Sequence, residues 1–484
     1  MSGDLLLRPA TELVRLLADR VVSATELLAA TRVQVESLGP TVNAVITVDW
    51  EHAERAAAAA DAAVATGRSL GPLHGLPMTV KDSIETASLR TTCGVPELTG
   101  HVPAEDAPAV ARLRAAGAVV YGKTNLPTWA WDCQSTNPLF GRTNNPWDLD
   151  RTPGGSSGGA AAAVATGMTT LELGSDLGGS VRLPAHFCGV YGLKPTYGLI
   201  PTRGHLPPMP GSLAELDIAA LGPLARSADD LDLALGVLAG PDTAAAVGWR
   251  LALPGPRAAR LRDYRIGVWS DDVTCPVDTA TAMAIDDLAA QLRSEGVSVV
   301  DVAATAPSVA DGLRLFRRLV QPLAGTFLSD EEFQQLAETP EPGEWERNVT
   351  MRTRDLLPAL EERAQLKARW AHVFRDVDVV ITPVTPGPAF VHDATPDVSA
   401  RTIVVDGMPR PYGEQFAWLQ AVGVAHLPAV VAPLAVSGGL PIGMQVVGPY
   451  LEDRTAIDVA ARISAVAGGF RPPPLTQRAA VPTG

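Results

Sequence analysis

An α/β fold is what this sequence predicts, because strand-length apolar runs and helical segments take turns along its first half. Residues 77–80, 118–121 and 169–173 read as short buried strands, and 106–116 and 159–166 read as helices set between them. Such alternation builds βα units on a largely parallel or mixed sheet. A chain of 484 residues holds one large domain of this kind or two ordinary ones.

The remaining elements follow the same rules. Apolar residues at helical spacing over 13–28 predict helix, and Ser23-Ala24-Thr25-Glu26 fits a capping box that opens a second one. The Ala-rich stretch 50–67 is a third, stopped by Gly67. Further on, helices are predicted over 227–238, 279–296 and 455–466, and strands over 265–269, 297–302, 377–382, 429–435 and 444–447. The Pro/Glu-rich stretch 338–344 reads as a loop. The tail, with Pro472, Pro473, Pro474 and Pro482, reads as irregular.

Composition narrows the function. A net charge of −14 leaves no basic stripe for phosphates, so neither nucleic acid nor an anionic membrane is an expected partner. Cys93, Cys133, Cys188 and Cys275 show no CxxC spacing and are too few for a disulfide framework. The start, MSGDLLLRPATELVRLL, lacks the basic end, long apolar stretch and small-residue site of a signal peptide. A cytoplasmic protein with reduced thiols is therefore expected.

Of 39 basic residues only four are Lys: Lys81, Lys123, Lys194 and Lys367. Where only positive charge is needed Arg serves equally well; Lys is required where a deprotonatable amine is used. Three of the four fall between 81 and 194, and four of the six Asn fall between Asn125 and Asn145. Both clusters place the chemistry in this part of the chain.

Two motif matches fail on context. Gly117 to Thr124 fits GxxxxGK[ST], but its intervening residues are themselves the apolar strand, and Asn125-Leu126-Pro127 is a poor helix start. Gly154-Gly155-Ser156-Ser157-Gly158 contains GxSxG, yet the turn-rich run before it supplies no strand for a nucleophile elbow. No His has the setting of a triad base; His372 reads as a packed helix residue. An α/β-hydrolase-type esterase using Ser156 is kept as an alternative.

Two Gly/Ser segments remain, 152–159 and 174–182, separated by about one helix and one strand. That connection leaves a sheet edge and returns to it, so Ser156 and Ser180 can meet. Gly178-Gly179 allows successive N–H groups to converge beside Ser180, as an oxyanion requires. Asp176 and Arg182 flank the loop and can pair across it.

With these residues in view, the sequence resembles the amidase signature family. The run GGSSGGAAAAVATGMTTLELGSDLGGSVRLPAHFCGVYGLKPTYG (154–198) is similar to that signature almost throughout, and GPLHGLPMTVKD (71–82) resembles its catalytic-lysine segment. GKTNLP (122–127) and QSTNPLFGRTNNPWD (134–148) match intervening parts, DVVITPVTP (378–386) and GLPIGMQVVGP (439–449) more weakly. The resemblance implies one large domain over 1–484, with a mixed, mainly parallel sheet sandwiched by helices, a signature core over about 70–215 and a smaller helical cap over about 305–370.

It also implies roles. Ser180 would be the nucleophile, Ser156 a proton bridge following a cis Gly155–Ser156 peptide, and Lys81 the base. Leu177, Gly178, Gly179 and Ser180 would supply the oxyanion hole, with Ser157, Asp176 and Arg182 as supports. Trp129, Trp131 and Cys133 are candidates for an acyl or aryl pocket, against the plainer alternative of core packing. A lysine of ordinary pKa near ~10.4 cannot accept a proton at neutral pH, so Lys81 must be buried, with Asp82 turned away.

The expected activity is hydrolysis of a carboxylic amide, with aryl amides, carbamates and esters also open, on a small-molecule substrate and with no metal or organic cofactor. A homodimer is open as an assembly. Leu183, where the A subunits of glutamyl-tRNA amidotransferases resemble one another in carrying Gln, and the run GLIPTRGHLPP (198–208) favour a stand-alone hydrolase over such a component, which stays as the other alternative.

Overall fold

The computed structural model describes residues 5–69 and 71–479. One α/β domain is built on an eleven-stranded mixed sheet. In chain order its strands are β1 (Val45–Val48), β2 (Pro77–Lys81), β3 (Val119–Thr124), β4 (Glu172–Asp176), β5 (Tyr191–Lys194), β6 (Ala220–Ala225), β7 (Arg265–Val268), β8 (Ser298–Asp301), β9 (Val379–Pro383), β10 (Ala429–Ser437) and β11 (Leu440–Val447). Across the sheet they run β1-β3-β2-β4-β6-β5-β10-β11-β9-β7-β8.

Parallel ladders join β2 to both β3 and β4 and tie β7 to β8 and β9. Between these two blocks the ladders are antiparallel. Strands β2, β3 and β4 are buried along their whole length, as strands covered on both faces must be. Their carboxyl ends bring Lys81, Thr124 and Asp176 to one edge, the place where open α/β sheets bind ligands.

The helices form for the expected reasons. Ala24–Val42 opens on a complete Ser23/Glu26 capping box, and Trp50–Ala65 on an Asp49 cap that accepts from His52 N–H. Gly158–Ala165 is made of Gly, Ala and Val alone and is buried on every side. Only small residues allow its start to touch the backbone of β3's end: a Cβ on Gly159 would stand 2.5 Å from Asn125 N and 2.6 Å from Asn125 O.

From 309 to 376 the chain is mostly helical, through Val309–Val320, Gln321–Phe327, Asp330–Ala337, Glu344–Val349 and Thr353–Asp376. The first of these and Thr353–Asp376 pack into a second apolar cluster that includes Trp269, Trp370 and Trp418, with Trp269 and Trp418 edge-on at 4.8 Å. His372 lies exposed on Thr353–Asp376 rather than packed.

Other departures from the sequence reading have local causes. The strand expected over 169–173 begins later, at Glu172, because side chains take over the pairing first. Thr79 N–H donates to Thr169 Oγ1 at 3.1 Å, and the Thr170 hydroxyl donates to Pro77 O. Strands β1, β5 and β6 went unpredicted. The tail forms the helix Pro474–Ala479 in place of irregular chain; Pro482 lies outside the described residues.

Since the atoms facing Gly159 are backbone and cannot rotate away, Gly159→Ala is expected to destabilise the protein by about 1–3 kcal/mol, against the helix-propensity gain of Ala. Chaotrope unfolding beside Gly236→Ala, a helix glycine with open space around it, checks this.

Candidate active site

The site forms where the ends of β2 and β4 meet the loop that precedes Gly158–Ala165. Lys81, last residue of β2, is wholly buried. Its Nζ lies 2.6 Å from Ser156 Oγ and 2.9 Å from Ser175 Oγ. Burial pushes the Lys81 amine down to about 7, against the opposing pull of Cys93, Asp176 and Glu172. Asp82 turns away, its carboxylate accepting from Thr92 N–H at 3.1 Å and Thr92 Oγ1 at 2.5 Å.

Ser156 follows a cis peptide bond with Gly155. Ser157, next in the chain, donates its N–H to Ser180 O at 3.1 Å and its hydroxyl to Ser175 O at 3.2 Å. These bonds tie the two glycine-rich loops together. Ser156, Ser175 and Ser180 line one cavity. Among the described residues the Ser180 hydroxyl makes no hydrogen bond. The structure thus joins Lys81 to Ser156 directly and brings Ser180 to the same cavity without a bond between the two hydroxyls.

The loop 177–181 is held from below by Asp176. Its Oδ1 accepts from Gly179 N–H at 2.8 Å, and Oδ2 from Val181 N–H at 3.1 Å. Arg182 grips the same carboxylate through Nε at 3.0 Å and Nη2 at 2.9 Å, and reaches Leu419 O and Gln445 Oε1, both at 2.8 Å. Burial alone would raise the Asp176 carboxyl, but Arg182 and the loop N–H groups hold it below the usual range. Gly179 has φ +132, and a Cβ there would meet Leu419 Cδ1 at 2.5 Å; glycine is required on both counts.

Of the four N–H groups assigned to an oxyanion hole, that of Gly179 is committed to Asp176. Those of Leu177, Gly178 and Ser180 have no acceptor among the described residues.

The cavity encloses about 650 Å³ of empty space, part of it open to solvent. Trp129 and Trp131 line it. Cys133 does not: its side chain belongs to the main apolar core, because the loop turns it inward and sets the Asp132–Cys133 backbone against Gly155. Leu216, Leu323, Phe327 and Pro208 complete walls that are chiefly apolar.

Sequence reasoning missed Ser175, the second partner of Lys81. It stands between Gly174 and Asp176, and alternation along β4 groups it with Leu173, a plain core residue. A single serine in a buried strand gives no signal of its own. Thr202, His205 and Phe327 were missed as well, since they reach the cavity from distant loops.

The other clustered residues are structural. Lys123 Nζ is capped by Ile84 O and by Thr86 Oγ1 at 3.0 Å, and Lys194 Nζ by Pro195 O at 2.8 Å. Asn125, Asn137 and Asn145 bond to one another or to loop carbonyls. The GxxxxGK[ST] match is strand β3, and no strand leads into Ser156.

Truncating Arg182 would strand the buried Asp176 charge. Arg182→Met is expected to cost about 3–5 kcal/mol of stability, read as a lowered unfolding midpoint, with Arg182→Lys recovering little of it because one amine cannot replace the fork.

Comparison with known proteins agrees with this architecture. The family model described as Amidase matches residues 26–457. The A subunit of the glutamyl-tRNA(Gln) amidotransferase of Carboxydothermus hydrogenoformans is 33% identical over 480 residues, covering 93% of this chain and 95% of that protein. A chain of an inhibitor-bound vestigial protein complex, described as revealing the evolutionary origins of an s-triazine catabolic enzyme, superposes with a TM-score of 0.81 at 29% identity, over 96% of this chain and 100% of that one. For 6-aminohexanoate cyclic dimer hydrolase with its substrate the TM-score is 0.78 at 26% identity, over 97% and 99%. With its glycine loops, its sheet and these matches running through nearly the whole sequence, the chain belongs to the amidase signature family, enzymes that act on carbon–nitrogen bonds.

Proposed function

We propose that this protein hydrolyses carboxylic amides through an acyl-enzyme on Ser180, with Ser156 as proton bridge and Lys81 as base. The observation that carries this reading is a buried lysine amine 2.6 Å from Ser156 Oγ, in the cavity that Ser180 also lines.

A neutral amine has one lone pair and two N–H groups. With its lone pair turned to Ser156, Lys81 accepts that hydroxyl's proton while still donating to Ser175. Ser156 in turn accepts the proton of Ser180 as Ser180 Oγ bonds to the amide carbon. The negative oxygen so formed meets the free N–H groups of Leu177, Gly178 and Ser180; Gly179 supplies the turn rather than a donor. Then the relay reverses. Its proton goes to the amide nitrogen, the carbon–nitrogen bond breaks and the amine departs. Water takes the same course against the acyl-enzyme and frees the acid. Aryl amides, carbamates and esters present the same carbonyl to the relay.

A second reading, a glutamyl-tRNA amidotransferase A-like component with a protein partner, is favoured by the name of the curated relatives at 33–34% identity. On sequence likeness alone it is the better supported of the two. The cavity favours the hydrolase. Glutamine brings an ammonium and a carboxylate, each needing a partner once out of water. Among the described lining residues the only carboxylate is Asp176, and Arg182 already holds it. The purified chain should therefore cleave neutral chromogenic amides unaided; glutamine-only turnover, with co-purifying subunits, would establish the second reading.

Ser180→Ala should drop turnover to background, a loss on the order of 10⁶, and abolish labelling by serine-reactive phosphonates. Lys81→Met should cost about 10²–10⁴ in kcat; near-normal turnover in that variant excludes Lys81 as the base.

The pH dependence has a fixed sign. Lys81 accepts a proton only when neutral, hence above its depressed value of about 7. Stopped assays across about pH 5.5 to 8.5 should show kcat/KM rising roughly tenfold per unit up to that value and flat beyond. A profile level throughout would contradict a titrating amine.

A further inference from the structure

One buried hydroxyl holds both ends of the turn that carries Ser156. Ser135 is wholly buried. Its Oγ donates to Gly154 O at 3.0 Å and accepts from Gly158 N–H at 3.0 Å. A carbonyl only accepts and an N–H only donates, so the single hydroxyl hydrogen has one direction open to it. The two bonds bracket residues 154–158, with Ser156 at the midpoint. The same segment presses on the middle of the turn. A Cβ on Gly155 would stand 2.5 Å from Asp132 O and 2.8 Å from Cys133 C, and one on Gly158 would stand 2.4 Å from Ser135 Oγ.

The segment 132–135 is itself braced from outside. Asp132 Oδ2 pairs with Arg401 Nη1 at 2.7 Å, and Asp132 Oδ1 accepts from Tyr412 OH at 2.6 Å. Gln134 exchanges two hydrogen bonds with the Asp393 backbone, donating to its O at 3.0 Å and accepting from its N–H at 2.9 Å. The stretch 393–412 therefore fixes 132–135, and 132–135 fixes the turn. Asp132, Gln134, Ser135 and Tyr412 do not line the cavity.

The chemistry proposed for Ser156 explains why its turn needs such a hold. Its Oγ lies 2.6 Å from Lys81 Nζ and has to meet Ser180 as well. That contact with Lys81 is the one side-chain hydrogen bond Ser156 makes among the described residues, so its backbone sets its place. A displacement of about 1 Å in a reacting group costs on the order of 10²-fold in rate. We infer that Ser135 is a positioning residue for the relay: its hydroxyl clamps Gly154 and Gly158 and holds Ser156 where protons pass between Ser180 and Lys81. This inference rests on the amide-hydrolase reading and adds to it a residue outside the cavity.

Amides and esters tell positioning from plain support. An amide loses its amine only when the relay delivers a proton to nitrogen, whereas a nitrophenolate leaves an ester without one. Acetyl, butyryl and hexanoyl p-nitroanilides are compared with the matching p-nitrophenyl esters. Ser135→Ala should lower kcat on the anilides about 10²-fold with KM little changed, and the amide-to-ester ratio should fall at least about tenfold. Both rates are divided by the sites titrated with a serine-reactive phosphonate, so a partly unfolded preparation leaves the ratio untouched. Tyr412→Phe, which keeps its ring on Phe390 at 5.6 Å but frees Asp132, should move the ratio the same way by about twofold or more. Should Ser135→Ala yield no folded protein, Tyr412→Phe alone decides. A ratio unchanged in these variants would overturn the inference and leave the hydrolase standing. An unaltered enzyme inert towards every anilide and ester would count against the hydrolase reading itself, and the inference would fall with it.

Discussion

A lysine amine that has lost the support of water organises this molecule. Removing an ammonium from solvent disfavours its charge, and Lys81 sits at the end of a fully buried strand with two serine hydroxyls as its hydrogen-bond partners. A carboxylate in contact would restore the charge and end any base chemistry. The acids nearby still pull the other way, but three separate means restrain them. Asp176 is paired through a two-pronged bond to Arg182. Glu172 is pushed up to about 8 by burial, so it is largely uncharged at neutral pH. Asp82, adjacent in sequence, is turned to Thr92. A lysine that titrates near neutrality is thus the joint product of several placements, any one of which could have undone it.

The glycine loops depend on the same frame. Asp176 serves the lysine by being paired and serves the loop by gathering the N–H groups of Gly179 and Val181. That gathering fixes the turn and leaves the N–H groups of Leu177, Gly178 and Ser180 unclaimed. Arg182 in turn anchors to Leu419 O and Gln445 Oε1, so the loop's geometry is referred to strand β11 and the helix Ala417–Gly423. The loop beside Ser180 is therefore positioned by residues 237 and 263 places from Arg182 in sequence.

That reach explains what the sequence disclosed and what it concealed. Contiguous signals were legible: the two Gly/Ser loops, their spacing, the capping box at Ser23, and the strand ending in Lys81. The scarcity of Lys pointed to burial more than to chemistry, since Lys123 and Lys194 are equally enclosed and merely capped by carbonyls and hydroxyls. The Asn cluster pins loops. Strands β5 and β6, with sequences YGLK and ALGPLA, carry Gly, Lys or Pro where strand formers are sought, and form because neighbours on both sides supply their ladders. Cys133 was misplaced because its loop faces the core with one residue and the cavity with another. His205 and Thr202 carry no local pattern at all; only the folded cavity singles them out.

The base and the specificity proposed for this site share one physical cause. Apolar walls lower the effective dielectric, and that is what makes a charged Lys81 costly. The same walls make a charged substrate costly, because its ionic groups would lose water and find no fixed partner. A glutamine-sized zwitterion would bring into the cavity a carboxylate able to stabilise protonated Lys81, removing the base it needs. A neutral amide brings no such charge and leaves intact the desolvation on which the proposed relay depends. In this arrangement the apolar walls serve both the substrate preference and the base, and a polar cavity around the same three residues would weaken both together.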